Sequence, residues 1–247
     1  MIAQAIVRAR DFFGRQKRNY WVGVARASAN SFLTGLTSPY SAIYTVGLGA
    51  NSVQLGSISS VGSAISALVS TPVGWLMDRY GIKRFYLLAI LLMAGGSLFR
   101  AGAHDWRFLV AAAILASVAG RLSGTGCRVI SADSVQNQDR VTAQNVCGTL
   151  GSLVGMVSPL VAAYLVTLFG GMTVEGIRPL YSIQFVGYGL VFLLVASQLR
   201  ESGRKQLVGT KNWLGFVADF RALFRGRRDL GRWIAISALT SLPLAMY

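Results

Sequence analysis

The sequence predicts an all-α integral membrane protein built on a bundle of six transmembrane helices. Three observations carry that expectation. Of 247 residues, 53% are hydrophobic and 13% charged, against roughly 25% charged in soluble domains. The charges leave long gaps: Thr34 to Met77, Phe85 to Phe99, Val141 to Val174 and Pro179 to Leu199 contain no Asp, Glu, Lys or Arg. A helix needs about 20 mostly apolar residues to cross the hydrocarbon layer, and most of these runs are long enough. The basic residues, finally, fall on one side of the resulting spans.

In order, residues 1–21 are a basic, partly amphipathic cytoplasmic segment. Helices 1 to 6 are expected near 22–46, 53–77, 84–100, 107–132, 143–168 and 180–199. They make one transmembrane domain over 22–199. Residues 200–231 are a polar cytoplasmic loop. Within it Trp213, Phe216, Phe220 and Phe224 recur at helical spacing among Arg221, Arg225 and Arg227, the pattern of an interfacial helix. A seventh span begins near Arg232 and is cut short at Tyr247, so the chain reads as an N-terminal fragment.

The net charge of +15 would point a soluble protein toward nucleic acid. Here its distribution decides otherwise. Eighteen Lys and Arg fall in the N-terminal segment and in the loops after helices 2, 4 and 6, and three (Arg100, Arg107, Arg178) on the opposite side. The basic side is the cytoplasmic one. The N-terminus is therefore expected in the cytoplasm, with the lipid bilayer and its anionic headgroups as partners and no nucleic acid. No cleavable signal peptide is visible.

Chemistry that needs a cofactor or metal finds no support. Cys127 and Cys147 lie in helices 4 and 5 without ligand spacing and read as small buried apolar residues. The single histidine, His104, sits in an outer loop beside Asp105. No enzyme is expected.

At the end of helix 2 the chain reads Gly74-Trp75-Leu76-Met77-Asp78-Arg79-Tyr80-Gly81-Ile82-Lys83-Arg84. In physical terms Gly74 permits close helix approach, Asp78 sits at an interfacial helix end, and Gly81 permits a tight turn. The segment resembles the loop signature of the major facilitator superfamily, Gly-x-x-x-Asp-Arg-x-Gly-basic-basic. It departs at Ile82, where a basic residue is usual. The resemblance covers about residues 20–247. It implies a transporter whose N-terminal half is a six-helix bundle of two inverted three-helix repeats and whose C-terminal six-helix half is missing here. It also implies that the motif latches the halves in one state, with Asp133 in the position of the acid that pairs with the motif's basic residues. A weak internal repeat at an offset of 95 residues agrees: Gly56-Ser57-Ile58 with Gly151-Ser152-Leu153, Gly81-Ile82-Lys83 with Gly176-Ile177-Arg178, Tyr86 with Tyr181. Helix 5, with Gly148, Gly151, Gly155, Ser158 and Pro159, is a fainter echo of the family's antiporters that small-residue packing explains as well.

Two helices carry polar stripes. Asn30, Thr34, Thr37, Ser41 and Tyr44 in helix 1 are spaced 4, 3, 4 and 3, on one helical face. Ser117, Arg121, Thr125 and Arg128 form another in helix 4. Polar residues in lipid-embedded helices face a bundle interior or wet cavity. Helices 3 and 6, almost wholly apolar, are expected outside. The candidate substrate cavity is thus Asn30, Thr34, Thr37, Ser41, Tyr44, Ser117, Arg121 and Thr125. Arg121 lies near mid-membrane, where a charge costs at least about 2.5–3.5 kcal/mol. It reads either as a clamp for a carboxylate or phosphate, or as a structural arginine bonded to backbone carbonyls or helix 1 hydroxyls. No Asp or Glu lies deep in any of the six spans. The expected function is secondary active or facilitative transport of a small solute, anionic or drug-like, across the plasma membrane. The alternative is a non-transporting relative acting as a membrane receptor or assembly protein.

Overall fold

A computed structural model of the chain describes residues 12–16, 18–80, 82–135, 139–199 and 236. The chain divides into two compact units, Met1–Gln206 and Leu207–Tyr247. Of the second only residue 236 is described, so the expected cytoplasmic loop helix and seventh span lie outside the described residues.

The first unit is all helical among the described residues. Helix α1 runs Arg18–Thr37. It passes through a 3-10 turn, Ser38–Tyr40, into a short helix, Ser41–Gly47. Then come α2 (Ser52–Tyr80), α3 (Ile82–Ala101), α4 (Trp106–Ser134), α5 (Arg140–Leu168) and α6 (Val174–Gln198). Five helices are long and apolar enough to cross a membrane, within α2, α3, α4, α5 and α6. The expected span at 22–46 falls short of that composition, because Arg26, Asn30 and a series of hydroxyl residues dilute it. It is also broken at Ser38-Pro39-Tyr40, where the ring of Pro39 removes a helical donor.

The ends of the helices follow local rules. Only residue 81 separates α2 from α3, whereas α5 and α6 are joined through Gly170 and Gly171 at φ +110° and +82°, a left-handed turn that favours glycine. The Thr173 side chain then caps α6 by accepting from the Gly176 amide at 3.1 Å. On the N-terminal side, Phe12 is buried with Tyr20, Val24, Val135 and Ala143, and the Tyr20 hydroxyl donates to the Ala143 carbonyl at 3.0 Å. The expected amphipathic lead is therefore docked on the bundle from Phe12 onward.

The most extensive packing pairs α3 with α4 and α6, α1 with α5 and α6, and α2 with α4. This set is unchanged when α1, α2 and α3 are exchanged for α4, α5 and α6. Packing of α1 on α5 uses small residues: Ser31 meets Gly151 and Gly155, and Gly35 meets Ser158. A side chain at Gly148 or at Gly74 would meet nothing within 4 Å. Among the described residues, then, no other helix comes close to Gly74.

Helices α3 and α6 are not simply the outside of the bundle. One side of each forms the main core, with Tyr86, Ile90 and Ala94 against Ile177, Leu180, Tyr181, Tyr188, Val191 and Val195. The other side exposes Leu88, Leu91 and Leu98 on α3 and Val186, Leu190 and Leu193 on α6. A helix apolar all round has two apolar environments to satisfy, protein core and lipid.

Two cations tie this pair reciprocally. Lys83, at the start of α3, donates to the Ala196 carbonyl in the last turn of α6 at 3.2 Å. Arg178, at the start of α6, donates to the Ala103 carbonyl just past α3 at 2.6 Å. Each cation thus meets the negative end of the other helix. Replacing either by Met is expected to lower thermal stability by about 1–2 kcal/mol, read by scanning fluorimetry in detergent. An unchanged melting temperature in both variants would rule out this tie.

Candidate functional site

The polar faces converge on two adjoining hollows. The larger is a half-open cavity of about 610 Å³ between the short helix after α1, α2 and α4. Its walls carry Ser59, Ser63 and Ser66 from α2, Ser117 and Arg121 from α4, and Arg100 from the last turn of α3. The smaller, about 310 Å³, is bounded by Thr34, Thr37, Ser38, Gln184 and Tyr188. Ser41, Arg100 and Ala116 line both. Among the described residues neither hollow is lined by an Asp or Glu.

Arg121 is the sixteenth of the 29 residues of α4, which places it at mid-helix. Its guanidinium Nε donates to Ser66 Oγ on α2, and its side chain is exposed to the cavity. A hydroxyl leaves a guanidinium's charge uncompensated, since it offers only a dipole. Arg100 stands against the ring of Tyr181, 5.9 Å from its centroid. Among the described residues the ion pairs are Arg15 with Asp139 and Arg107 with Asp105, both outside the cavity. The cavity therefore presents two guanidinium groups and a wall of hydroxyls, a setting that favours an anion.

The smaller hollow has a neutral network. The Tyr188 hydroxyl donates to Asn30 Oδ1 and lies 3.4 Å from the Thr34 hydroxyl. Gln184, on α6, donates through Nε2 to the Leu33 carbonyl at 3.0 Å. Its Oε1 is buried without a partner among the described residues, an acceptor left for a donor that enters the hollow.

Of the eight residues expected to line a cavity, Ser117 and Arg121 do so in the larger hollow, Thr34 and Thr37 in the smaller, and Ser41 in both. Asn30 lines neither and is linked to the smaller one through Tyr188. Tyr44 is a correction. It is 1% exposed, packs its ring 5.0 Å from that of Tyr181, and donates to the Arg100 carbonyl at 2.6 Å. The helix is interrupted at Ser38–Tyr40 between Thr37 and Tyr44, so the even spacing of the stripe does not carry one face through to Tyr44. The side chain of Thr125 lies outside the described residues.

Of the loop motif, Asp78 and Arg79 close α2 and Asp133 closes α4, but their side chains, and Gly81 altogether, lie outside the described residues. Lys83 is engaged with α6 as above, and Arg84 is exposed.

Several site residues escaped the sequence reading. Ser59, Ser63 and Ser66 are spaced 4 and 3 on α2 and were legible as a third polar stripe. Arg100 follows the apolar run of α3 and reads as a loop charge. Arg26 is a buried cation of another kind: 3% exposed, 4.4 Å from the Tyr86 ring centroid and donating to Ser123 Oγ at 2.5 Å. It ties α1 and α3 to α4 away from either hollow.

Against known proteins, residues 22–247 match the family profile of the Major Facilitator Superfamily. The sequence is 34% identical over 102 residues to "Putative multidrug resistance protein MdtD" of Klebsiella pneumoniae subsp. pneumoniae, covering 41% of this chain and 20% of that protein. It is 28% identical over 171 residues to the protein of the same name in Klebsiella pneumoniae strain 342, covering 66% of this chain and 35% of that protein. The matches thus span a fifth to about a third of these relatives' length. Among solved structures, the peptide transporter POT in complex with sulfate aligns with 93% of this chain and 46% of its own, at TM-score 0.62 and 16% identity. The human organic anion transporter MFSD10 (TETRAN) aligns with 75% of this chain and 47% of its own, at TM-score 0.51 and 16% identity. At these identities the structures show a shared fold.

Proposed function

The chain belongs to the Major Facilitator Superfamily and is an integral membrane protein, and from that premise we propose that it forms the N-terminal six-span half of a secondary transporter. In this reading the transporter carries a small, anionic or drug-like solute across the cell membrane by alternating access. The carrying observation is the half-open cavity in which Arg121 stands at mid-helix with no acid on the lining among the described residues. An uncompensated guanidinium there costs free energy at rest and recovers it when an anion binds.

The inverted three-helix repeat is supported by the packing pattern that survives exchange of α1–α3 for α4–α6. The reciprocal ties of Lys83 and Arg178, two residues matched at the 95-residue offset, support it as well. Alternating access requires a second half to rock against the first. Helices α2 and α5 present apolar surface for that half or for lipid, including Leu68 at 72% and Leu160 at 73% exposed. The name borne by the relatives favours a drug-like solute, and an aromatic or aliphatic body with an acidic group satisfies both descriptions. The N-terminus is assigned to the cytoplasm, and the membrane to the plasma membrane.

The test is uptake by the complete protein reconstituted in liposomes, with labelled benzoate as a simple aromatic anion and the cation tetraphenylphosphonium as the contrast. Saturable benzoate uptake that exceeds the protein-free background is expected, with no competition from the cation. Benzoate binding without flux would overturn transport in favour of a receptor. Uptake of the cation alone would overturn the anionic reading.

A further inference from the structure

Two arginines line the larger cavity, and they enter it at different depths. Arg100 lies in the last turn of α3, one residue before the helix ends at Ala101. The chain then turns back through residues 102–105 into α4, so the end of α3 and the start of α4 are at one level. Along α4, Arg121 follows Trp106 by 15 residues, or about 22 Å at the rise of an α-helix. The two arginines thus line one space from different levels of the bundle. A sphere of the cavity's volume is about 10 Å across, so the two groups address separate points of a bound solute.

Their surroundings differ as well. Arg121 has the hydroxyl of Ser66, with Ser59 and Ser63 further along the same wall. Arg100 has the face of Tyr181, and its backbone carbonyl is pinned by Tyr44, so the tyrosines fix the segment that carries it. Tyr181 borders the cavity from the core side at 1% exposed, and its ring backs the Arg100 cation. Arg100 also stands where the two hollows meet, with Ser41 and Ala116. No carboxylate neutralises either arginine among the described residues.

We infer that Arg100 is a second anion anchor, and that the preferred solute carries two separated acidic groups on a compact, partly apolar body. One acid meets Arg121 and the α2 hydroxyls. The other meets Arg100 at the junction of the hollows, with the body against the apolar lining at Leu55, Ile58 and Ala113. This rests on the reading of Arg121 as an anion anchor and goes beyond it by making the site selective for dianions. Charge-assisted bonds from a guanidinium to a carboxylate are strong and directional, so the second acid adds affinity only if both cations are present.

The experiment compares benzoate with terephthalate, which differ by one carboxylate on the opposite side of the same ring. Binding is measured by calorimetry on the complete protein in nanodiscs. Terephthalate is expected to bind at least about tenfold more tightly than benzoate. Arg100→Gln is expected to weaken terephthalate far more than benzoate and so to remove the tenfold preference. Arg100→Lys, which keeps the charge, should retain part of the preference and shows that the site is folded. Arg121→Gln should weaken both ligands. Equal affinity of the wild-type protein for the two ligands would overturn the second anchor, as would a terephthalate preference that survives Arg100→Gln. In both cases the Arg121 reading stands if Arg121→Gln still weakens benzoate. Unchanged benzoate affinity in Arg121→Gln would overturn that reading itself.

Discussion

Arg121→Ala is expected to reduce anion uptake by the complete protein at least about 30-fold in kcat/KM, with insertion and expression unchanged. The size follows from what the side chain does. Truncating one partner of a desolvated charge pair costs about 2–5 kcal/mol, and each 1.4 kcal/mol is a factor of ten. The lower end applies because the cavity is half-open and water competes for the anion. Stability should not fall, because among the described residues the side-chain bond to be lost is the one to Ser66 on α2, and the substitution removes an uncompensated charge from a membrane helix. Raised stability with abolished uptake is therefore the expected signature. A structural arginine gives the opposite pair: lower stability, with uptake by the surviving protein near normal. Ser66→Ala discriminates further. It removes the hydroxyl that holds Arg121 without removing the charge, and is expected to raise KM severalfold while kcat stays close to wild type.

Much of this fold is legible in the charges. The gaps between charged residues mark α3, α5, α6 and the end of α2 to within about six residues, because lipid admits few charges and interfaces collect them; α4, with Arg121 inside it, lies in none of these gaps. The break in the first span was less legible. Pro39 lies in an uncharged run, and membrane helices tolerate proline when neighbours satisfy the freed backbone groups. Nothing local distinguishes tolerance from a break. Helices α3 and α6 show another limit. Their uniform apolarity says that no face meets water, but not which face meets Tyr188 or Ile90 and which meets lipid. That division is set by partners roughly 95 positions away in sequence.

The site was legible where one helix carries a full turn-by-turn stripe. Ser117 with Arg121, and Thr34 with Thr37 and Ser41, could be paired by spacing alone. Tyr44 obeys the same spacing, yet it is drawn into the core by Tyr181 and the carbonyl of Arg100. Arg100 failed for the converse reason. Counting it among loop charges used its position in sequence, whereas its role comes from the side chain reaching back along α3 into the cavity. An arginine one residue inside a helix end is compatible with both, and only the neighbouring helices decide.

Gly35→Val is the substitution expected to damage the fold most. Gly35 lies on the face of α1 that packs on α5, and a Cβ there would collide with Ser158 Oγ, with Ser158 Cβ at 3.1 Å and the Gly155 carbonyl at 3.4 Å. Ser158 has no solvent exposure and donates to the Gly155 carbonyl at 2.7 Å, so it has little room to yield. Between membrane helices packing contributes what the hydrophobic effect does not, and small residues set the distance of approach. Overpacking a dense contact costs about 1–3 kcal/mol. Valine adds two further carbons and should lie at the top of that range, because α1 would have to move off α5. Alanine should cost less, since rotation of the Ser158 hydroxyl relieves its nearest clash. Melting curves in detergent are expected to rank wild type, Gly35→Ala and Gly35→Val in that order, with Ser158→Gly restoring much of the loss in Gly35→Ala. Equal stability of Gly35→Val and wild type would mean that α1 and α5 do not meet at this point. The same shift would displace Thr34 and Thr37, which flank Gly35 and line the smaller hollow, so Gly35→Ala should weaken ligand binding even where the protein remains folded.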